Sequence, residues 1–341
     1  MMIIRKLDIS ENPMTRPLYE EVFHEDSRGF VDYYYTEKTK DSQIYVVEEA
    51  GGIQAMLHLN LYELMVNGSK KDINYIVAVA TRENYRKRGY MGRLLKKALR
   101  DMYREGQCFT FLMPAAEAIY TPYDFRTVYE QKRSYCPTEK ETELFLEDGE
   151  GCRVSPVRES DLKELAEWAG AVLSSGYQVY AYRSEAYYRR LMKEYASDGA
   201  SLMLYRKNGT IVDCRPYVPD EEQGENKPKI MVRIVDVRRM LMSVRLRTLA
   251  AVCFTVTDPI IEENNRCVVV TGTEFSGVML MDGRLENSEG TITVSALASL
   301  LFGGKSVEET AAEEGVEMTD RMKQELEKMI PLSRIYLNET V

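Results

Sequence analysis

Residues 74–102 read NYIVAVATRENYRKRGYMGRLLKKALRDM, and no other stretch so narrows what this chain can become. An apolar run containing Ile76, Val77 and Val79 ends in a basic turn, Arg86-Lys87-Arg88-Gly89-Tyr90-Met91-Gly92. Beyond it, apolar residues at 91, 94, 95, 98, 99 and 102 keep the spacing of one buried helical stripe. The pattern predicts strand, glycine turn and helix in succession. The first N–H groups of such a helix lack intrahelical acceptors, and its dipole makes them attractive to an anion. Glycine lets a ligand approach the backbone, and arginines add charge-assisted contacts. The stretch therefore reads as a cradle for a pyrophosphate.

With 341 residues the chain exceeds one ordinary core, so two or three domains are expected. It shows no signal peptide and no apolar run able to span a bilayer, so the expected compartment is the cytoplasm, with no membrane partner. A net charge of −9 argues against nucleic acid and favours cationic substrates. Six scattered cysteines never form C-x-x-C, and His24 and His58 are the only histidines. A bound metal is therefore not expected, and a Ser-His-Asp triad lacks parts. Proton transfer falls to water, to carboxylates or to the 23 tyrosines.

Residues 1–40 are dense in acids and aromatics, among them Glu20, Glu21, Glu25, Asp26 and Tyr33-Tyr34-Tyr35. They read as a helix pair with solvated carboxylates, or as one wall of a pocket for a cationic amine, because aromatic faces and carboxylates both attract cations. Strands follow around 44–47 and 53–64, with a hairpin turn at Asn67-Gly68, and the third strand is 74–80. His58, mid-strand, reads as structural. After the helix comes a short buried strand, 109–113, stopped by Pro114. The acids between 139 and 150 read as a linker or surface strand. A second unit carries a helix over 161–173, with Asp161 and Glu164 as capping partners, and a helix after Ser184 with Tyr187, Tyr188, Leu191, Met192 and Tyr195 on one stripe. An Asn208-Gly209 hairpin closes it, and 221–228 is a polar linker. The third unit opens with a strand at 231–237 and ends in a tail that looks tucked in rather than frayed.

The turn Arg86-x-x-Gly89, between strand and helix, resembles the acyl-CoA-binding motif of the GNAT N-acetyltransferases, with Met91 where the motif's last small residue stands and glycine one place later. Pro114-Ala-Ala-Glu-Ala-Ile-Tyr-Thr-Pro-Tyr-Asp-Phe125 resembles the segment of the enhanced intracellular survival (Eis) acetyltransferase family that carries its catalytic tyrosine, except that Asp124 replaces a glycine. Together with the Val235-Asp236-Val237 strand and the Leu337-Asn338-Glu339 tail, the likeness spans roughly residues 3–341. It implies a mixed α/β (α+β) chain of three parts. These are a catalytic GNAT domain (1–138), a shortened, degenerate GNAT-like domain (139–228) and a sterol-carrier-like domain (229–341). It also implies a hexameric homo-oligomer.

The implied reaction is acetyl transfer from acetyl-CoA to a primary amine of a small cationic substrate, aminoglycoside-, polyamine- or lysine-like. Arg86, Arg88, Gly89, Tyr90, Met91 and Gly92 are expected to hold the pyrophosphate, and Val77 and Val79 the pantetheine. Tyr120 is the expected acid, and the terminal carboxylate at Val341, where Thr340 replaces an acidic residue, the expected base. Asp26, Tyr34 and Glu117 are candidates for the amine. The competing expectation is a lipid- or small-ligand-binding protein that uses the sterol-carrier-like unit beside a vestigial acetyltransferase domain.

Overall fold

The computed structural model describes residues 2–131, 139–147, 151–217 and 228–339. The N-terminal part runs β1 (Ile3–Lys6), α1 (Arg16–Val22), α2 (Arg28–Thr36), β2 (Gln43–Glu49), β3 (Gly52–Val66), β4 (Ser69–Thr81), α3 (Tyr90–Arg104), β5 (Phe109–Leu112), α4 (Glu117–Tyr120) and β6 (Arg126–Glu130). β1 to β4 form an antiparallel meander. The expected β3–β4 hairpin turns on Asn67 and Gly68, whose φ values of 49° and 83° match the right-handed twist of the strands. Leu94, Leu95, Ala98, Leu99 and Met102 of α3 are buried, as the stripe predicts, while Met91 is half-buried. α1 and α2 supply a separate cluster in which Leu18, Tyr19, Val31 and Tyr34 pack on Ile44, Val46 and Met56.

Next come α5 (Glu139–Glu147), β7 (Cys152–Pro156), α6 (Leu162–Gly176), β8 (Val179–Ala181), α7 (Glu185–Ser197), β9 (Ser201–Lys207) and β10 (Thr210–Tyr217). The acidic segment expected as linker or strand is helical over 139–147, its Phe145 ring 5.3 Å from Tyr205. Asp161 precedes α6 without capping it by its side chain. Instead its Oδ2 accepts from the Arg158 N–H at 2.9 Å, and Arg206 pairs with Asp161 and Glu164 at 3.3 and 2.7 Å. Asp161 thus caps the short turn before α6 rather than α6 itself. β10, β9 and β7 form their own sheet, but β8 leaves it and pairs with β3 through Leu64–Val66.

The C-terminal part holds β11 (Lys229–Ile234), α8 (Val237–Leu241), β12 (Arg245–Leu246), β13 (Ala250–Thr257), β14 (Arg266–Thr273), β15 (Gly277–Asp282), β16 (Gly290–Thr293), α9 (Val294–Leu301), α10 (Val307–Ala311), β17 (Glu317–Met318), α11 (Asp320–Leu326), β18 (Met329–Ile330) and β19 (Ile335–Tyr336). Its own sheet has the order β15-β14-β13-β16-β17. The strand expected at 231–237 stops at Ile234, where Asp236 caps α8.

That strand, β11, is not in the C-terminal sheet. It lies antiparallel between β5 and β6 in the first sheet, buried on both faces from Ile230 to Ile234. A strand covered on both faces is a continuous apolar run, which carries no sign of the sheet it joins. α9 packs on β11 and β6, so the C-terminal part covers one face of the N-terminal sheet. β19 pairs with β8, and the tail is buried at Leu337 and Glu339.

Candidate functional site

β4 pairs in parallel with β5 only at Tyr75–Phe111 and Ile76–Leu112, yet runs on to Thr81. The two strands therefore part at their C-terminal ends, where open α/β sheets leave room for ligands. Within this parted segment Ala78 has φ 49°, and the register against β3 slips between Met56 and His58. This is a β-bulge, which re-aims the backbone of Val77, Ala78 and Val79 beside the opening.

The loop after β4 then turns into α3 through Lys87 (φ 62°) and Gly89 (φ 77°), two left-handed positions three and one residues before Tyr90, the first residue of the helix. Nothing lies within 4 Å of where a Gly89 side chain would stand, so its glycine serves the backbone conformation. The first backbone bond of α3 is Arg93 N–H to the Gly89 carbonyl at 3.1 Å, leaving the N–H groups of Tyr90, Met91 and Gly92 without intrahelical acceptors. Arg86, Lys87, Arg88 and Gly89 are exposed around them. Arg88 lies over the Tyr85 ring at 4.7 Å and donates to the Asn84 carbonyl at 2.9 Å, while Arg86 Nε donates to the Thr81 carbonyl at 3.2 Å. The Tyr90 hydroxyl donates to Glu49 and anchors the turn to β2. The residues present fit a pyrophosphate: free amides, a helix start and guanidinium charge in one place.

Gly92 serves another purpose. Any side chain there would collide with the Tyr123 hydroxyl. The glycine that the sequence places one position late thus lets the segment 117–123 lie against the first turn of α3. Tyr120 ends α4, is 8% exposed and meets Phe125 edge-on at 5.9 Å. Among the described residues nothing hydrogen-bonds its hydroxyl, and burial pushes the phenol up to about 12. The turn ends at Asp124, φ 66°, the left-handed conformation in which glycine is favoured and aspartate tolerated. Burial raises the Asp124 carboxyl, against the pull of Arg233.

The three expected amine contacts are not brought together. Tyr34 is fully buried and its hydroxyl is 3.0 Å from His58 Nδ1, so it belongs to the core and not to a pocket wall. His58 itself is enclosed, and burial pushes it down to about 3, as suits a structural imidazole. Asp26 is exposed and accepts from the Tyr19 hydroxyl at 2.7 Å. Glu117 is held by Lys229 at 2.9 Å and by the Thr127 hydroxyl, and those two bonds lower its carboxyl. Its charge is already answered. Val341, like Thr340, lies outside the described residues.

A cavity of about 360 Å³ lies elsewhere, between the segment after α2, β3, α7 and the tail. Lys38, Tyr62, Arg183, Tyr187, Glu194 and Glu339 are among the residues that line it. Tyr62 ties it to the opening, since its ring lies 6.1 Å from Tyr75 and 6.2 Å from Phe111, the last strand pair but one before β4 and β5 part. Arg183 lies between the Tyr187 and Tyr336 rings at 5.0 and 5.4 Å and donates to Glu339 at 3.3 Å. Of these residues Tyr187 stood out in the sequence as a member of a helical stripe, and Glu339 only as part of the tail that carries the resemblance. The rest carry no local signal, because they meet only after β8 and β19 are paired.

Residues 3–128 match the acetyltransferase (GNAT) domain, and residues 237–338 match the sterol carrier protein domain. No curated protein matches the chain in sequence. Among solved structures, a probable N-acyltransferase of unknown function from Enterococcus faecalis V583 covers 100% of both chains at TM-score 0.76 and 13% identity. A GCN5-related N-acetyltransferase from Anabaena variabilis covers 99% of both at 0.73 and 13%. Eis1 from Mycobacterium abscessus covers 100% of both at 0.70 and 12%. At such identities the likeness is one of fold, and it runs from end to end. The chain thus joins an N-terminal part that matches the acetyltransferase (GNAT) domain to a C-terminal part that matches the sterol carrier protein domain, in a fold it shares with Eis1.

Proposed function

We propose that the chain moves the acetyl group of acetyl-CoA to a primary amine of a small cationic substrate, aminoglycoside-, polyamine- or lysine-like. One observation carries the reading. The unpaired amides of Tyr90–Gly92 and the Tyr120–Tyr123 turn are pressed together through Gly92, beside the parted ends of β4 and β5.

In this reading the amides of 90–92, with Arg86 and Arg88, bind the pyrophosphate, and the pantetheine lies along Val77–Val79. A strand amide polarises the thioester carbonyl. The neutral amine attacks that carbon, the N–C bond forms, the C–S bond breaks, and the amine's proton leaves to water. Tyr120 gives its proton to the departing thiolate. A phenol near 12 is a weak acid for this task, but an enclosed thiolate is also more basic than one in water, which narrows the gap. Holding both partners in one opening supplies much of the rate.

The test is to incubate the protein with acetyl-CoA and an amine panel while following free thiol. Amine-dependent thiol release is the expected result. Release with no amine in the panel, or release that ignores the amine, would remove the reading.

A further inference from the structure

The 360 Å³ cavity holds a buried ammonium with no carboxylate beside it and a buried carboxylate with one oxygen unpaired among the described residues. Most of its wall is neutralised. Arg190 pairs with Asp41 at 2.7 Å, Glu63 with Lys70 at 3.0 Å, and Arg215 with Asp213 at 2.5 Å. Lys38 is the exception among its cations. It is 3% exposed, and its Nζ donates to the Tyr62 hydroxyl at 2.8 Å and lies 4.5 Å from that ring's centroid. Among the described residues no carboxylate stands within 4.0 Å of it. A phenol and a ring face only partly replace the water an ammonium loses on burial, and desolvation lowers its pKa accordingly.

Glu339 is the counterpart. Its side chain is 2% exposed. Oε1 accepts from Arg183 at 3.3 Å and from the Tyr187 hydroxyl at 3.1 Å, whereas the buried Oε2 accepts from no described residue. Both groups line the same cavity, and Glu194, Asp41 and Glu339 all favour the Lys38 charge from a distance, Glu194 most. An apolar or purely cationic ligand would leave the Lys38 ammonium buried without an anion, and a purely anionic one would leave Oε2 empty.

We infer that this cavity takes a zwitterionic diamine, an amino-acid-like molecule whose carboxylate meets Lys38 and whose one ammonium meets Glu339 Oε2, with its second amine free to react. The inference rests on the acetyltransferase reading only in making this molecule the acceptor. The binding itself does not require it.

Pairs of ligands that differ by a carboxylate test it on the full chain: lysine against cadaverine, ornithine against putrescine. Lysinamide separates a free amino acid from a residue whose carboxyl is blocked. Calorimetry measures binding and thiol release measures turnover. Lysine is expected to bind about tenfold or more tighter than cadaverine, the factor that a hydrogen-bonded charge pair gives, with lysinamide resembling cadaverine. Lys38→Met should collapse that ratio, and Glu339→Gln should weaken lysine and cadaverine alike, each checked for an unchanged melting temperature. Cadaverine binding as well as lysine, neither binding, or a ratio that survives Lys38→Met would overturn the inference. If Lys38→Met fails to fold, the wild-type ratio decides alone. Preferred binding of lysine without thiol release would instead sink the acetyl-transfer reading and leave this one standing. Turnover that favours the diamines does the reverse.

Discussion

Arg233 donates to Asp258 at 2.6 Å with both side chains wholly enclosed, and its Nε donates to the carbonyl of Tyr123 at 3.1 Å. One guanidinium on β11 thus joins the C-terminal part to the turn that carries Tyr120. Asp258 is itself satisfied, since its Oδ1 accepts from the N–H groups of Ile260 and Ile261 and its Oδ2 from Asn264. Arg233→Met strands that carboxylate. The expected loss is about 3–5 kcal/mol of stability, the usual cost of leaving one half of a buried pair. Urea unfolding measures it, and a loss below 1 kcal/mol would mean that the pair bears little of the junction.

Gly92→Ala and Gly89→Ala separate the two glycines. A methyl at 92 would stand 2.2 Å from the Tyr123 hydroxyl, so that side chain must move by about 1 Å and push the neighbouring Tyr120 segment, and kcat is expected to fall by about tenfold or more. A methyl at 89 meets open space but strains a left-handed residue, at about 1 kcal/mol, and should act mainly on KM for acetyl-CoA. Steady-state kinetics distinguish them, and identical effects at both positions would contradict this division.

Tyr120→Phe is expected to lower kcat by about a hundredfold, the lower range for losing a positioned acid, with acetyl-CoA affinity little changed. Because burial raises the phenol to about 12, Tyr120 stays protonated well past pH 9. Its ionisation should therefore impose no alkaline fall on kcat below about pH 10. An unchanged kcat in the phenylalanine variant removes Tyr120 as the acid.

His58 sets an acid sensitivity. Its folded value is depressed to about 3 against 6.5 for the free side chain. Below pH 6.5 the unfolded chain takes up a proton that the folded chain refuses, so the stability is present above 6.5 and lost as pH falls toward 3. Between pH 7 and 5 the loss from this group is about 2 kcal/mol, at 1.36 kcal/mol per pH unit below 6.5. His58→Asn should lose less stability than the wild type over that interval in denaturant titrations at the two pH values. An equal slope would show that other groups account for it.

How much of this was legible beforehand depends on the range of the interactions. The strand, turn and helix proposed as the cradle were written within 74–102: the stripe of α3, the basic turn and Gly89 are local, and a helix start presents free amides whatever surrounds it. The Asn67-Gly68 hairpin and the segment around Tyr120 were legible for the same reason, the latter by resemblance. Tyr34 misled because an aromatic beside carboxylates looks alike whether it lines a pocket or fills a core, and only packing on Met56 and His58 separates the two.

The chain alone determined its local units and the basic glycine turn that opens α3, since helical and strand periods and glycine conformations are properties of neighbouring residues. Tertiary structure alone decided three things: that β11 crosses back between β5 and β6, that Gly92 yields to Tyr123, and that Lys38 and Glu339 face one cavity. Each depends on residues far apart in sequence, and strand pairing and burial, which no local pattern records, set their separation in space.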